Sequence, residues 1–250
     1  MELSIYFGFI NFIKKNIIKS LIYLLYNLPD VVVCNSTNIS KNFKIKYNLK
    51  TKTIFPPSLS FINFSRNRQN IYKKNKTLVI TTVCRLTKEK GLDVFFKALS
   101  MLKFSNYKLL IVGDGIEKLR LKQLSEKLNI SKKIKYFGFL KDIRPVLELS
   151  NLYVNTSYFE GFPNSVVEAI NHGIPVICSQ SHGGINEILL NGKCGTIFKN
   201  GDSFDLASKI QKYYNDPKKF LIKTKLAKQN IRRFTLEKNI SDYENLFYKL

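Results

Sequence analysis

From Thr77 onward, short apolar runs alternate with amphipathic stretches, and this alternation leaves few folds open. Runs of strand length fall at Leu78–Cys84, Tyr107–Val112, Ile134–Phe139, Leu152–Thr156, Val176–Cys178 and Gly195–Phe198. Helical spacing falls between them at Leu92–Leu102, Ile116–Leu128, Ile143–Leu149 (with Pro145 in its first turn), a short helix capped by Ser165 and ended by Gly173, Ile185–Leu190, and Ser203–Tyr214. Strands separated by helices imply the α/β class, a Rossmann-like doubly wound parallel sheet covered on both faces. A ligand then sits outside the carboxyl ends of the strands, so the loops that follow them hold the candidate site residues.

The chain ahead of this pattern is less regular. Residues 3–13 are apolar but short, and Lys14 and Lys15 interrupt before Ile17. A spanning helix needs about 20 apolar residues. Glu2 at the front and the lack of a small-residue cleavage site argue against a secretory signal. Residues 14–28 read as an amphipathic helix packed on a domain, with a place on a membrane surface as the alternative. Asp30–Ser36 reads as a strand, Thr37–Tyr47 as a helix, and Thr53–Pro57 as a strand stopped by its prolines. Residues 58–76 are polar and basic without period, which places a boundary near residue 70. The tail from Pro217 reads as two helical segments meeting near Arg232–Thr235, with Thr235 capping the last.

The formal charge is +23 and the isoelectric point near 9.8, a balance that invites nucleic acid or an anionic membrane. Yet lysine far outnumbers arginine and is scattered along the chain, whereas phosphate and base readers favour the arginine fork. A solvated basic surface with no nucleic-acid partner is expected, and peripheral contact with anionic lipid is the alternative. The four cysteines, Cys34, Cys84, Cys178 and Cys194, have no C-x-x-C spacing and read as buried reduced thiols of a cytoplasmic protein. His172 and His182 are the only histidines, too few for a zinc site, and no metal is expected.

The densest chemistry lies in Ser157-Tyr-Phe-Glu160-Gly-Phe162-Pro163-Asn164-Ser165-Val166-Val-Glu168, followed by His172-Gly173-Ile-Pro175. Glu160 sits in a loop, Glu168 inside the next helix, and the amides of the helix start lie between them. Amides and the helix dipole favour an anion, while carboxylates accept hydrogen bonds from sugar hydroxyls. The plainer reading makes Ser165-x-x-Glu168 a capping box, with Glu168 satisfying a backbone amide. His172, near the helix end, reads as a dipole partner rather than a catalyst.

Taken whole, Glu160-x7-Glu168 with its internal Gly-x-Pro and trailing Gly173-x-Pro175 resembles the E-x7-E motif of retaining nucleotide-sugar glycosyltransferases of family 4, which have the GT-B fold. Three further stretches fit the resemblance. Arg85-Leu-Thr-Lys88-Glu-Lys90-Gly91 is similar to that family's G-R-L-x-x-x-K-G loop, with Cys84 in the glycine's place. Val112-Gly113-Asp114-Gly115 is similar to its G-x-G turn, and His182-Gly183-Gly184-Ile-Asn-Glu187 to its Gly-Gly-x-x-Glu turn. The strand end Phe137-Gly138-Phe139 falls where the family places the nucleotide base.

The resemblance implies residues 1–70 as a remnant of the acceptor-side domain, 71–231 as the nucleotide-sugar donor domain and 232–250 as the closing helix. It implies Arg85 and Lys90 on the donor diphosphate, Glu160 near the donor sugar and Glu168 on the ribose hydroxyls. Gly113, Pro163, Ser165, Phe139, Glu187 and the amides of Phe162, Asn164 and Val166 would complete the donor site. The implied substrate is a UDP- or GDP-linked sugar and the acceptor a glycan or lipid-linked molecule. No cofactor is implied. Two rival readings remain: a nucleotide-sugar-binding subunit without catalysis, and a basic nucleic-acid or membrane-surface protein.

Overall fold

The computed structural model describes residues 16–60, 62, 72, 76–181 and 183–249. The apolar run 3–13, most of the polar stretch 58–76, and His182 lie outside the described residues.

Six parallel strands form the main sheet: β3 (Leu78–Val83), β4 (Tyr107–Val112), β5 (Ile134–Tyr136), β6 (Leu152–Asn155), β7 (Val176–Ser179) and β8 (Thr196–Phe198). Their order is β5-β4-β3-β6-β7-β8, so the chain winds outward one way from β3 and then back the other way from β6. That reversal opens a crevice at the carboxyl ends of β3 and β6, the place where Rossmann-like sheets bind ligands. The sheet is buried on both sides because successive residues point to opposite faces. Ile80, Ile111, Val154 and Ile177 meet α3 (Leu92–Ser100), α4 (Lys118–Lys127) and α8 (Ser203–Asn215). Tyr153, Val176 and Cys178 meet α6 (Asn164–Asn171), α7 (Ile185–Ile188) and α9 (Pro217–Gln229), while Leu110 and Val112 meet α5 (Arg144–Leu149).

A smaller unit precedes the sheet. Residues 16–25 form helix α1. β1 (Val32–Cys34), α2 (Thr37–Tyr47) and β2 (Thr51–Thr53) then make one parallel strand–helix–strand unit. The chain returns to it at the end. Leu59 and Thr235 form a parallel bridge, and α10 (Leu236–Phe247), capped by the Thr235 hydroxyl, follows. The rings of Phe55, Phe162 and Phe234 pack together, and Asn239 Nδ2 donates to the Phe55 carbonyl at 2.7 Å.

Several expectations are corrected. The second strand is Thr51–Thr53 rather than Thr53–Pro57, because α2 ends at left-handed Asn48 and the ladder with β1 begins soon after. β5 stops at Tyr136 because the chain swings back across the end of β4, where the Gly113 amide donates to the Gly138 carbonyl at 2.7 Å. α7 ends early at Ile188, since Leu190 and Asn191 turn left-handed. α1 was expected to pack on a domain; Tyr26, just past its end, stacks on Phe43 of α2, but Ile17, Leu21 and Leu24 along it are 46–67% exposed. The cysteines are free thiols, three buried and Cys84 half-buried. Among the described residues, no helix is long and apolar enough to cross a membrane.

Candidate functional site

The loops after β3, β4, β5, β6 and β7 converge on the crevice, and backbone contacts stitch them together. The Cys84 amide donates to the Val112 carbonyl and the Leu86 amide to the Asp114 carbonyl, which holds the Arg85 loop over the Gly113 turn. A Cβ at Gly113 would lie 1.9 Å from the Cys84 carbonyl oxygen, so no other residue allows this approach. Cys84 keeps its place because the clearance comes from Gly113. The Arg85 loop is also bound to the loop after β6, through Thr156 Oγ1 donating to the Lys90 carbonyl and the Tyr158 amide donating to the Glu89 carbonyl.

This stitching brings two of the sequence candidates together. Lys90 Nζ donates to Glu160 Oε1 at 2.7 Å, with the side chains 13% and 11% exposed. Ser157 Oγ donates to the same oxygen at 2.8 Å. Arg85 does not join them. Its side chain is 75% exposed and lies 3.6 Å from Glu89.

The helix that carries Glu168 differs from the sequence reading. α6 starts at Asn164, with Pro163 at the cap and no side-chain cap, so there is no capping box. Ser165 is one residue inside, and its hydroxyl donates to the Val83 carbonyl at 3.2 Å while accepting from Tyr153 Oη at 2.7 Å. Buried Tyr153 thus pins the start of α6 to the end of β3. Asn164 Oδ1 accepts from Ser58 Oγ at 2.9 Å. The Val166 amide, expected among the ligand donors, donates to the Pro163 carbonyl at 3.0 Å instead. Phe162 turns its ring into the aromatic cluster with Phe55 and Phe234, so only its backbone faces the loop.

Glu168 lies in a pocket of about 580 Å³. Val83, Phe139, Asp142, Arg144 and His172 line it with Glu168. Phe139 stands on the rim, 76% exposed. Burial pushes the Glu168 carboxyl up to about 7, and the Asp142 carboxylate adds to the effect. Asp142 is itself held down at about 2 by the Arg144 guanidinium, whose Nε and Nη2 each donate to it at 2.8 Å. His172 sits at the end of α6 with Nδ1 2.9 Å from the Glu168 carbonyl oxygen, the dipole position expected of it. Among the described residues Lys90 and Glu160 do not line this pocket. Val83, on the pocket wall, accepts the Ser165 hydroxyl at its carbonyl.

The turn after β7 braces the Glu160 loop. A Cβ at Gly183 would lie 1.7 Å from the Glu160 carbonyl oxygen, and the Gly184 amide donates to the Gly161 carbonyl at 2.9 Å. Glu187, expected at the donor, is bonded to α2. Its carboxylate accepts from Asn38 N at 3.1 Å and from Thr37 Oγ1 at 3.2 Å, both in the first turn of α2. Sequence reasoning missed Tyr153, Asp142 and Arg144. Tyr153 sits unmarked in an apolar strand, whereas the close spacing of Asp142 and Arg144 beyond a strand end was a readable sign. Among the described residues no three His, Cys, Asp or Glu side chains gather as a metal set.

Residues 63–233 match the family model described as glycosyl transferases group 1. The chain is 31% identical over 179 residues to an uncharacterized glycosyltransferase of Methanocaldococcus jannaschii, covering 66% of this chain and 43% of that protein. It is 26% identical over 218 residues to the gpi3 subunit of the Schizosaccharomyces pombe phosphatidylinositol N-acetylglucosaminyltransferase, covering 84% of this chain and 47% of that protein. The chain therefore spans about half the length of these relatives. The crystal structure of Anabaena HepE in complex with UDP and glucose shares the fold, with a TM-score of 0.79 at 24% identity over 93% of this chain and 66% of that one. Six strands wound about a switch point, with the strand-end loops gathered there, are thus the Rossmann-like C-terminal architecture of a GT-B fold, and the chain belongs to the glycosyl transferases group 1 family.

Proposed function

We propose that this chain is the nucleotide-sugar half of a retaining glycosyltransferase of the family 4 type. It moves a sugar from a UDP- or GDP-linked donor to a glycan or lipid-linked acceptor. One observation carries the reading. α6 opens directly after the loop in which Glu160 is buried against Lys90, and one turn into the helix it carries Glu168 into a pocket at the switch point.

In this reading Glu168 accepts hydrogen bonds from the ribose hydroxyls, and Phe139 borders the base. Arg85, Lys90, the Gly113 turn and the amides of Phe162, Asn164 and Ser165 receive the diphosphate and sugar. Pro163 sets the direction in which α6 begins. Breaking the bond from the anomeric carbon to the diphosphate gives that carbon oxocarbenium character and builds charge on the leaving phosphate. The two cations and the helix start stabilise that charge where it grows. Glu160 already accepts from Lys90 and Ser157, an arrangement for placing charge beside the sugar rather than for attacking it. Retention then follows from acceptor attack on the face the diphosphate leaves, without a covalent protein intermediate and without a metal.

β1 and β2 form a two-stranded sheet, too small to be stable alone. With the chain spanning about half of its relatives, the acceptor side is completed by further polypeptide, and this chain alone binds donor but transfers poorly. The phosphatidylinositol in the S. pombe relative's name favours a lipid-linked acceptor. The exposed apolar face of α1 supports peripheral contact with the anionic cytoplasmic face of a membrane. A second reading, a non-catalytic donor-binding subunit, draws on that relative being named a subunit.

Calorimetry with UDP, GDP and their sugars, followed by a transfer assay, tests the reading. UDP comes first because HepE was crystallised with it. Micromolar binding that weakens at least about tenfold in Glu168→Ala is expected, a loss of about 1.4 kcal/mol. No binding by any nucleotide contradicts the reading. Binding without turnover after acceptor-side polypeptide is restored would favour the subunit.

A further inference from the structure

Glu187 stands in the turn motif that the family resemblance assigns to the donor, yet its carboxylate is committed to a partner roughly 150 residues away in the chain. α2 has no acid of its own in its first turn. Ser36 serves as its cap, accepting from the Ile39 amide, and leaves the Asn38 amide to find another acceptor. Glu187 Oε1 accepts from that amide and Oε2 from the Thr37 hydroxyl, so the carboxylate supplies the negative charge that a helix start favours. Glu187 is held from the other side as well. Arg233 Nη2 donates to the Glu187 carbonyl at 2.6 Å, and the Arg233 guanidinium stands over the ring of Phe234, 4.7 Å from its centre.

The same short helix begins at the Gly183–Gly184 turn, which has no slack against the Glu160 loop. The Gly184 amide donates to Gly161, and the Glu160 carbonyl occupies the space a Gly183 side chain would need. On its other flank that loop meets the small N-terminal unit again, where Asn35 Nδ2 approaches within 3.1 Å of the place a Gly161 Cβ would take. A displacement of α2 is therefore carried through Glu187 and α7 to the Glu160 loop, across bonded groups at each step.

We propose that Glu187 is a positioning residue: it latches the N-terminal unit to the loop that holds Glu160 and transmits movement between them, rather than touching the donor. The latch rests on contacts alone. Its consequence for donor binding rests on the reading above.

Amide hydrogen exchange on the full chain, as wild type, Glu187→Gln and Thr37→Val, tests it. Glu187→Gln weakens a charge-assisted bond, so exchange at Asn38 should rise on the order of tenfold. Exchange at Gly184, whose amide donates to the Gly161 carbonyl, should rise with it. Thr37→Val removes one bond from the opposite side without altering Glu187, and should give the same pattern at smaller amplitude. UDP affinity should stay within about threefold of wild type in both variants, well short of the tenfold that each 1.4 kcal/mol represents. In wild type, UDP should slow exchange at Asn38, and Glu187→Gln should abolish that protection, since coupling between sites is reciprocal. Faster exchange at Asn38 with Gly184 unchanged overturns the latch and leaves a local helix cap. A tenfold loss of UDP affinity with exchange at Asn38 unchanged overturns it in favour of a donor ligand. Should no nucleotide bind at all, the functional reading fails while the exchange comparison still decides the latch.

Discussion

Replacing Glu168 with glutamine should stabilise the fold, and the gain should depend on pH in a defined direction. The carboxyl is pushed up from its ordinary 4.5 to about 7, first by burial and then by Asp142. That gap is equivalent to roughly 3 kcal/mol at 1.36 kcal/mol per pH unit. Glu168 is only partly buried, so solvent screening reduces the expected effect to about 1–2 kcal/mol. Below pH 4.5 the group is protonated both folded and unfolded and contributes nothing. As pH rises, the unfolded chain ionises first and gains stability relative to the folded one. The penalty grows between 4.5 and about 7, and is complete above that. Glutamine has no charge to bury. Urea denaturation of wild type and Glu168→Gln at pH 4, 5.5 and 7.5 should therefore show curves that coincide at the lowest pH and separate as pH rises, with the variant more stable. A difference that is flat with pH, or that favours wild type at pH 7.5, would refute the burial argument. The same variant should bind UDP more weakly, so that stability and affinity move in opposite directions, as expected where a binding site holds an unfavourably buried charge.

Four further substitutions examine how the site is held. Tyr153→Phe removes the hydroxyl joining Ser165 and Val83, and should cost about 1–3 kcal/mol in urea denaturation; a loss under about 0.5 kcal/mol would mean that α6 is seated by packing alone. Lys90→Met and Glu160→Gln should each cost about 3–5 kcal/mol by leaving a buried partner uncompensated. Their double variant should lose clearly less than the sum, and strict additivity would show that the pair is not coupled. Gly183→Ala places a methyl against the Glu160 carbonyl at a positive φ, and should destabilise by more than about 1 kcal/mol in thermal melts while weakening UDP binding; unchanged affinity would detach that turn from the site.

The six-stranded sheet was legible because its strands are buried on both faces and stand out as apolar runs between helices of clear period. The candidate loops were legible for the same reason, since each follows one of those strands. Legibility failed where the deciding contact was distant. Glu187 sits in a motif that suggests a donor ligand, and only the fold brings the first turn of α2 to its carboxylate. The apparent capping box around Ser165 failed because the helix is capped two residues earlier, at Pro163, and the hydroxyl is drawn to Val83 and Tyr153. The amphipathic pattern of residues 14–28 identified a helix and an apolar face, but periodicity does not say what covers that face, and in α1 it is left exposed. β2 was misplaced because apolar Ile54 and Phe55 draw attention beyond the Thr51–Thr53 ladder.

A crystal structure of this chain grown with UDP measures the placement directly. The diphosphate is expected against Lys90 and the first residues of α6, with the ribose hydroxyls on the Glu168 carboxylate and the base beside Phe139. A nucleotide bound elsewhere on the chain, or in the pocket with its phosphates turned away from Lys90, would contradict it.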